Sequence, residues 1–545
     1  VQAPELSATA FGEPATVSMA TQPDGQLLAT LRGRIDARSL AAYVPEVFAS
    51  RLTGATAWTA GVLTGRSGTE LAIASDLDGL AIGLPAPVGK PAGETRALAL
   101  AISRLGSGQE VASVTLAGGL HGRVSRAGER WQAALRFGAP LGNEPPRDGL
   151  WLYGELAALD VDAWKGIFAP VAQPGAAPKA EERMPGIELR GVDLKLARVR
   201  FLGRGFQDLT AKLERNGTTW QGTLAGPLIA GDVSWNAEGR GRVVARLERL
   251  AVPEPAPGAA APPATGDPDL PALDVVSQRF DFRGRMLGRL ELAAQPAGEE
   301  WRIDKLDIDA GYAKLASTGR WRRTGAGSLT TLAVKLDVAN ANALMAAFGY
   351  GEYLKRGSGH VEGTLAWPGA PAEFALASLS GSFKLEARNG QFAKIEPGAG
   401  KLLGLLSLQS LPRRALLDFR DVFTDGFAFE RVQGDIGMAK GILLTDSFEI
   451  SGPAAFVSLS GEVSLPEESQ ALTLRVVPEV GEGMALAATV LGTPVLGLST
   501  LLVSKLLRNP LGKVVAYEYR VTGSWDNPVV TRTSAGAPAK AAASR

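Results

Sequence analysis

The sequence predicts a mainly β protein: an elongated, curved antiparallel sheet of repeated strands that forms a groove, with a few short helices. Three observations predict this class. Short runs alternate large apolar residues with small or polar ones, which is typical of strands with one apolar face. Asn-Gly and Asp-Gly pairs stand between such runs and favour tight hairpins. The 545 residues include 66 Gly and 34 Pro but only 6% aromatic residues, which suits many strands joined by turns.

The strand pattern is clearest in four runs. Residues 332–338 read LAVKLDV, and the same alternation occurs at 192–196 (VDLKL), 209–213 (LTAKL) and 457–460 (VSLS). Because successive strand residues point to opposite faces, the large apolar residues of each run share one face. The pairs at 24–25, 216–217 and 389–390 are Asp-Gly or Asn-Gly, and they supply the positive φ angles of two-residue turns.

Tryptophan recurs in two local contexts, which indicates a weak internal repeat. One group follows a turn and the other follows a glycine at a distance of two or four residues. A repeated supersecondary unit implies a stack in which each unit covers its neighbour. The first group is Trp131, Trp220 and Trp301, and the second is Trp235, Trp321, Trp367 and Trp525.

Helical signals are few and separate the strand-rich regions. Residues 39–52 are amphipathic but contain Pro45, residues 342–348 follow an Asn cap, and 401–410 and 494–507 are largely apolar. Low-complexity stretches at 169–185 and 253–271 predict loops or linkers. The expected organisation is a β-rich region at 1–168, a repeated hairpin segment at 186–375, a C-terminal domain at 376–530 and a disordered tail at 531–545.

Composition excludes several classes of function. The net charge is +1 and no basic block occurs, so a nucleic-acid partner is not expected. The chain has no cysteine and two histidines, which removes thiolate catalysis, disulfides and cysteine-ligated metals and leaves little for an imidazole site. We therefore expect no cofactor and no metal.

The charged clusters have a structural explanation that is simpler than catalysis. The best carboxylate candidates are Asp76 with Asp78, and Asp304 with Asp307 and Asp309. Residues two apart on a strand share a face, so a solvated face is favoured over an acid–base pair. The run 411–421 carries Arg413, Arg414 and Arg420, and local ion pairs are favoured there over a phosphate site. His121 and His360 lie in turn-like contexts and are expected at the surface. We predict no catalytic residue and no enzyme.

The surplus of strands with one apolar face is the informative feature. An open sheet of such strands has a continuous apolar surface, which must be covered or must hold an apolar ligand. Acyl chains need only apolar contact. The candidate groove residues are Leu194, Leu196, Leu209, Leu213, Leu332, Val334, Leu336, Val457 and Leu459.

Several stretches resemble the YhdP family of AsmA-like proteins. Residues 75–80 (SDLDGL) and 84–90 (LPAPVGK) resemble its middle region. The C-terminal part resembles the family's AsmA-like C-terminal domain more closely, and it contains IEPG at 395–398, LLGLLSL at 402–408, LPRR at 411–414, DFRDVF at 418–423, GFAF at 426–429 and GSWDNP at 523–528. The resemblance covers most of the chain.

Family membership would imply a location and a function. The family consists of Gram-negative envelope proteins with an inner-membrane helix and a long periplasmic β-rich body. This body is regarded as a hydrophobic groove that conveys phospholipid between the inner and outer membranes. The chain would then be a C-terminal portion that lacks the anchor, with phospholipid acyl chains, both membranes and other envelope proteins as partners. The candidate membrane-contact residues lie on or beside the helix at 494–507 and are Leu498, Leu502, Lys505, Leu506 and Arg508. An equally open alternative is that the same helix closes the end of the groove.

Two alternatives remain open at this point. The first is a non-catalytic envelope scaffold that binds partner proteins by strand addition at a sheet edge. The second is a polysaccharide-active enzyme on a β-helix, in which Asp307 or Asp309 would act as acid or base. A lipid-free and folded chain would favour the scaffold, whereas two facing carboxylates in a cleft would favour the enzyme.

Overall fold

The structure is a computed structural model of the full chain. It describes residues 2–23, 25–65, 68–105, 110–128, 130–142, 144, 146–168, 187–201, 204–253, 270–324, 327–351, 353–393, 426–478, 517–525 and 527–535. The chain divides into two compact units, Val1–Thr265 and Gly266–Arg545. The boundary falls inside the Pro-rich stretch at 253–271.

The first unit is built mainly from strands. Its elements are β1 Gln2–Ala10, β2 Glu13–Thr21, β3 Leu27–Asp36, α1 Ala37–Ala41, α2 Glu46–Ala49, β4 Leu52–Gly65, β5 Gly68–Ser75, β6 Leu80–Ile82, β7 Leu98–Leu105, β8 Glu110–Leu116, β9 Leu120–Ala127, β10 Arg130–Phe137, β11 Gly149–Leu156, β12 Leu159–Asp160, α3 Val161–Phe168, β13 Leu189–Phe201, β14 Arg204–Asn216, β15 Thr219–Ala225, β16 Ile229–Asn236 and β17 Arg242–Val252.

Strand order in the first unit follows the chain except at the short strands β6 and β12, which pair with β4 and β13 and are bypassed by the main ladder. β1 to β5 pair in sequence, β5 pairs with β7, and β7 to β10 continue as antiparallel neighbours. β10 pairs with β11, and β11 with β13, in the parallel sense. β13 to β17 are antiparallel again. The sequence analysis did not predict this parallel step.

The second unit is an antiparallel meander in the part that the structure describes. Each strand pairs with the next one along the chain. Its elements are β18 Ala272–Phe282, β19 Arg285–Ala297, β20 Glu300–Asp309, β21 Ala313–Thr324, β22 Gly327–Val338, α4 Ala341–Ala347, β23 Ser358–Pro368, the single-turn 3₁₀ helices Pro371–Glu373 and Leu376–Ser378, β24 Ser380–Phe392, β25 Phe427–Ala439, β26 Ile442–Ser451, β27 Ala455–Ser464, β28 Ser469–Pro478, β29 Tyr517–Ser524 and β30 Pro528–Ala535.

The predicted fold class is confirmed: each unit is a curved, mainly antiparallel sheet with few short helices. The four alternating runs lie in β13, β14, β22 and β27. The turn at 216–217 joins β14 to β15 as expected, and Gly217 has a φ of +61°. Register shifts interrupt several ladders, for example between β20 and β21, and such bulges bend and twist a sheet.

The Asn-Gly pair at 389–390 was wrongly predicted as a hairpin turn. β24 continues through it to Phe392, and Asn389 adopts a φ of +53° inside the strand. A Cβ atom at position 390 would lie 2.0 Å from the ring of Phe429. Glycine is therefore required because the Phe429 ring packs flat on the backbone, a contact that the local sequence does not reveal.

The helix predictions are partly confirmed. The region 39–52 contains parts of two short helices instead of one: α1 ends with Ala42 as its C-cap residue, and Pro45 stands at the N-cap position of α2. α4 begins after Asn340, whose side chain accepts a hydrogen bond of 3.0 Å from the Ala343 N–H. α3 was not predicted, although Asp160 caps it in the same way by accepting from the Ala163 N–H.

Several predictions fall outside the described residues. These are the helices at 401–410 and 494–507, the loop at 169–185, most of the stretch at 253–271, and the Arg413, Arg414 and Arg420 cluster. The predicted tail began too early, since β30 extends to Ala535. The division at 186–375 and 376–530 stays a prediction.

Tryptophans of the two sequence groups pair across neighbouring strands. Trp220 lies opposite Trp235 on β15 and β16, and Trp301 lies opposite Trp321 on β20 and β21. Cross-strand aromatic pairs stabilise a sheet. Four of the seven tryptophans thus form two cross-strand pairs, and the internal repeat stays a prediction.

Candidate functional site: the apolar face of the sheet

Cross-strand register places the apolar residues of the second unit on one face. Leu332 in β22 lies opposite Gly319 in β21 and Leu365 in β23. The same row continues from Leu365 to Gly381 in β24 and then to Met438 in β25. Since paired residues point to the same side of a sheet, one apolar face continues from strand to strand.

Two clusters form the core on this face. The first is rich in tryptophan and contains Ala294, Trp301, Ile303, Trp321, Leu332, Trp367 and Leu379. The second lies on β24 to β29 and contains Phe392, Phe427, Phe429, Val432, Ile450, Ala455, Val457, Leu459, Leu472, Leu474, Val476, Tyr519 and Val521. Their members are less than a tenth exposed.

The opposite face of the second unit is charged and carries ion pairs. Lys305 bonds to Glu291 and lies 3.5 Å from Asp307, and Lys314 lies 3.0 Å from Asp309. Further along, Arg388 and Arg431 both contact Glu386, and His360 lies 2.6 Å from Asp337. Asp307 and Asp309 thus share a solvated face, as predicted, and each has a lysine partner.

Several carboxyl groups of this face have lowered pKa values because of their hydrogen-bond and ion-pair partners. The Arg302 side chain holds the pKa of Asp304 below its usual value, and the Gly311 N–H does the same for the pKa of Asp309. The pKa of Glu386 is lowered by the Arg388 hydrogen bond. Asp304, Asp309 and Glu386 are therefore held as ionised hydrogen-bond and ion-pair partners on a solvated face.

The nine candidate groove residues occupy the apolar faces of the two units. Leu194, Leu196, Leu332, Val457 and Leu459 are 3–8% exposed and pack in hydrophobic clusters. Leu209, Leu213, Val334 and Leu336 are half-buried. The first five are therefore core residues of the sheet, and the other four offer side-chain surface on the same faces. Whether any of them contacts lipid stays a prediction.

The first unit also has an apolar cluster on one face of paired strands, here β13 and β14. Leu194 in β13 faces Ala211 in β14, and Leu196 faces Leu209. These residues pack with Leu156 and Val199 in one cluster. The predicted residues of β13 and β14 are thus brought together on one apolar face, as the alternation required.

A depression of about 720 Å³ lies in the first unit, and Trp151, Lys212, Leu213 and Arg246 are among the residues that line it. The Arg147 guanidinium stacks on the Trp151 ring at 4.4 Å and also contacts Glu214 at 3.3 Å. The backbone of Gly191 lies against the same ring. The Trp151 ring is therefore held between contacts made by the chain itself.

Strand ends of the second unit form two rims along the apolar face. The first rim consists of the β18–β19 and β20–β21 turns and the β22–β23 connection with α4. The second rim consists of the β19–β20 and β21–β22 turns and the β23–β24 connection at 369–379. At the second rim, Phe374 packs edge-on against Trp367 with ring centroids 5.5 Å apart. This connection therefore folds onto the apolar face.

Sequence reasoning missed two arginines at the first rim. Arg283 donates from Nη2 to the Phe374 carbonyl at 3.1 Å, and Arg285 donates from Nη1 to the Ala347 carbonyl at 2.9 Å. The motif DFRGR at 281–285 shows a turn with arginine in place of the usual Asn or Asp. This arginine at a turn position was the sequence signal that could have identified the two residues.

The described residues contain no group of three or more His, Asp or Glu placed to hold a metal ion. Among the helices that the structure describes, none is long and apolar enough to cross a membrane. The membrane-contact candidates Leu498, Leu502, Lys505, Leu506 and Arg508 lie outside the described part.

Comparison with known proteins adds a family. A family model described as YhdP protein matches residues 1–530. The chain is also similar to the intermembrane phospholipid transporter YhdP of Escherichia coli, with 24% identity over 581 aligned residues. The alignment covers 97% of this chain and 43% of that relative, so the chain spans less than half of the relative's length. No solved structure matches.

Proposed function

This chain belongs to the YhdP family, and on that premise we propose that its apolar faces carry phospholipid acyl chains between the inner and outer membranes of a Gram-negative envelope. The observation that carries the proposal is the continuous apolar face of the second unit, which has charged residues on its opposite side. The apolar cluster around β13 and β14 is its counterpart in the first unit. Acyl chains need contact with apolar surface and no directional polar partner. A face of this kind allows a lipid to slide without breaking hydrogen bonds.

The half-buried residues are the proposed contact surface. Leu209, Leu213, Val334 and Leu336 have accessible apolar area that is next to fully packed neighbours. The packed residues hold the sheet rigid, and the accessible ones provide the track. No residue is proposed as catalytic, and lipid movement along the track is passive.

The location and partners follow from the same premise. The similar Escherichia coli protein is named as an intermembrane phospholipid transporter. We propose a periplasmic position for this chain, within a protein that is attached to the inner membrane. Other envelope proteins are proposed as partners at its ends.

The test is lipid analysis of the detergent-free purified chain. Native mass spectrometry of the chain, with lipid extraction from the same sample, should detect co-purified phospholipid. Incubation with vesicles that contain a fluorescent phospholipid should load the chain further. A folded chain that neither retains nor takes up phospholipid would overturn the proposal and would favour the scaffold that binds partners by strand addition.

A further inference from the structure

The β18–β19 hairpin extends past the end of its neighbouring strand. β19 pairs with β20 only from Arg289, opposite Asp309, onward, and residues 285–288 pair with β18 alone. Gly288 stands where the hairpin leaves β20 and has a φ of +86°. A Cβ atom there would lie 2.1 Å from the Asp309 carbonyl oxygen. Glycine therefore allows the overhanging tip to bend at this point.

The tip crosses the apolar face from the first rim towards the second. Arg283 belongs to the first rim, yet its guanidinium donates to the carbonyl of Phe374 in the second rim. Phe374 itself packs on Trp367, which belongs to the tryptophan-rich cluster of the apolar face. Arg285 remains at the first rim through its bond to Ala347, the last residue of α4. The tip therefore places the Arg283 guanidinium above the apolar face and the Arg285 guanidinium at its first rim.

In the part of the chain that the structure describes, these guanidinium groups have carbonyl partners and no carboxylate partner. Among the described residues, no Asp or Glu oxygen lies within the 4.0 Å of an ion pair from Arg283 or Arg285. The nearest acid in the sequence, Asp281, accepts the Gly284 N–H at 2.9 Å. By contrast, Arg388 and Arg431 on the polar face share Glu386. A guanidinium has five N–H donors, so both tip arginines keep donors and charge for an anion.

The tip is closed by a tight turn that fixes where the Arg283 side chain begins. Arg283 has a φ of +53° and Gly284 a φ of +74°, which are the signs of a type I′ turn. The Phe11–Gly12 and Lys440–Gly441 pairs have the same φ signs, so this turn is a recurrent device of the sheets. The functional argument therefore depends on the contacts of the two arginines.

Accessible apolar surface surrounds the two charges. Met286 and Phe348 are 49% and 41% exposed. The Arg285 guanidinium lies 5.1 Å from the Phe348 ring centroid, and the Arg283 guanidinium lies 5.2 Å from that of Phe282. Cationic donors beside accessible apolar groups, over a continuous apolar face, complement an amphiphile with an anionic head.

We propose that Arg283 and Arg285 bind the phosphate of a phospholipid whose acyl chains lie on the apolar face of the second unit. The inference rests on the proposed function, because the acyl chains must occupy that face. Arginine binds phosphate through paired charge-assisted hydrogen bonds. The hairpin tip is then a headgroup-binding site at a fixed position along an otherwise apolar surface. Lipids that have no phosphate do not bind to it.

The test compares three probes on the full chain. These are dioctanoyl phosphatidylglycerol, dioctanoylglycerol and inorganic phosphate, each titrated by calorimetry below its aggregation limit. The double variant Arg283→Gln, Arg285→Gln should weaken phosphatidylglycerol binding by about tenfold, as expected when charge-assisted hydrogen bonds are lost, and should leave dioctanoylglycerol binding unchanged. The control Arg320→Gln, Arg322→Gln removes two charges from exposed positions of β21 on the opposite face, and it should change neither.

Four results would overturn the headgroup site. They are equal phosphatidylglycerol binding in the variant and the wild type, an equal loss for dioctanoylglycerol, an equal loss in the control, and inorganic phosphate binding as tightly as the lipid, which would indicate a free-phosphate site. The single variant Arg285→Gln, which keeps the Arg283 bond to the second rim, should give a partial loss if the double variant misfolds. If the wild-type chain binds neither amphiphile, the proposed function itself fails.

Discussion

Replacing Val334 with aspartate places one charge on the proposed lipid track. Val334 is half-buried in β22 between Ser317 and Gly363 on the neighbouring strands. Losing its burial costs roughly 1 kcal/mol, about half of the value for a fully buried valine. A carboxylate that keeps part of its hydration adds about 1–2 kcal/mol. The sum is well below the ~5–15 kcal/mol of a typical domain, so the chain should stay folded.

The same carboxylate should oppose lipid strongly. An acyl chain that covers it removes its remaining water, which costs about 3 kcal/mol or more without a partner charge. Because 1.4 kcal/mol corresponds to a factor of ten, phospholipid loading from vesicles should fall on the order of a hundredfold. Native mass spectrometry should show the loss of co-purified lipid, while circular dichroism should show an intact β spectrum.

The neighbouring residue provides a matched control. Ala333 is exposed on the opposite face of the same strand, so Ala333→Asp adds the same charge where solvent receives it. This variant should load lipid like the wild type. The reasoning is refuted if both variants lose lipid equally or if the folded Val334→Asp chain loads normally. Unfolding of Val334→Asp would show that this residue belongs to the core.

Three further predictions concern stability. Thr330 is fully buried, and its hydroxyl donates to the Gly369 carbonyl at 2.8 Å. Thr330→Val should therefore lower the free energy of unfolding by about 1–2 kcal/mol in urea titrations. An unchanged urea midpoint would show that this hydrogen bond does not stabilise the fold. Lys90 is 4% exposed and donates to two backbone carbonyls. Lys90→Met should lower the free energy of unfolding by about 1–3 kcal/mol, and protease should cleave the 75–98 segment faster than in the wild type. Equal digestion rates would contradict this prediction. The pKa values of Asp309 and Glu386 are lowered from 3.8 and 4.5 by the Gly311 N–H and by Arg388. Their contribution is therefore present above those values and is lost as the pH falls through the lower folded values. The thermal midpoint should hold down to about pH 5 and then fall, and a midpoint that rises on acidification would refute the sign.

Local patterning predicted which residues form strands, and which face they share, because both depend on period-two alternation within one run. The runs at 192–196 and 332–338 lie in β13 and β22, and their apolar residues point to one side. The Asn cap of α4 was equally local. The parallel step from β10 to β13 and the Phe429 contact at position 390 were not predictable in this way, because each depends on a partner that is distant in the sequence.

The candidate site was also predicted only in part from the sequence. The nine groove candidates were selected from alternation, yet only the packed structure separates the buried Leu332 from the half-buried Val334 two residues later. Burial depends on what the neighbouring strands and rims place over each position. Hydrophobicity along one strand does not record this.

The sequence by itself determined a mainly β chain with one apolar face per strand, no thiol chemistry and a near-neutral charge. The tertiary structure alone decided that Arg283 and Phe374, 91 residues apart, meet across the apolar face. The physical reason is that alternation is set residue by residue, whereas the meeting of two rims depends on twist, bulges and the overhang of one hairpin, which accumulate over many strands.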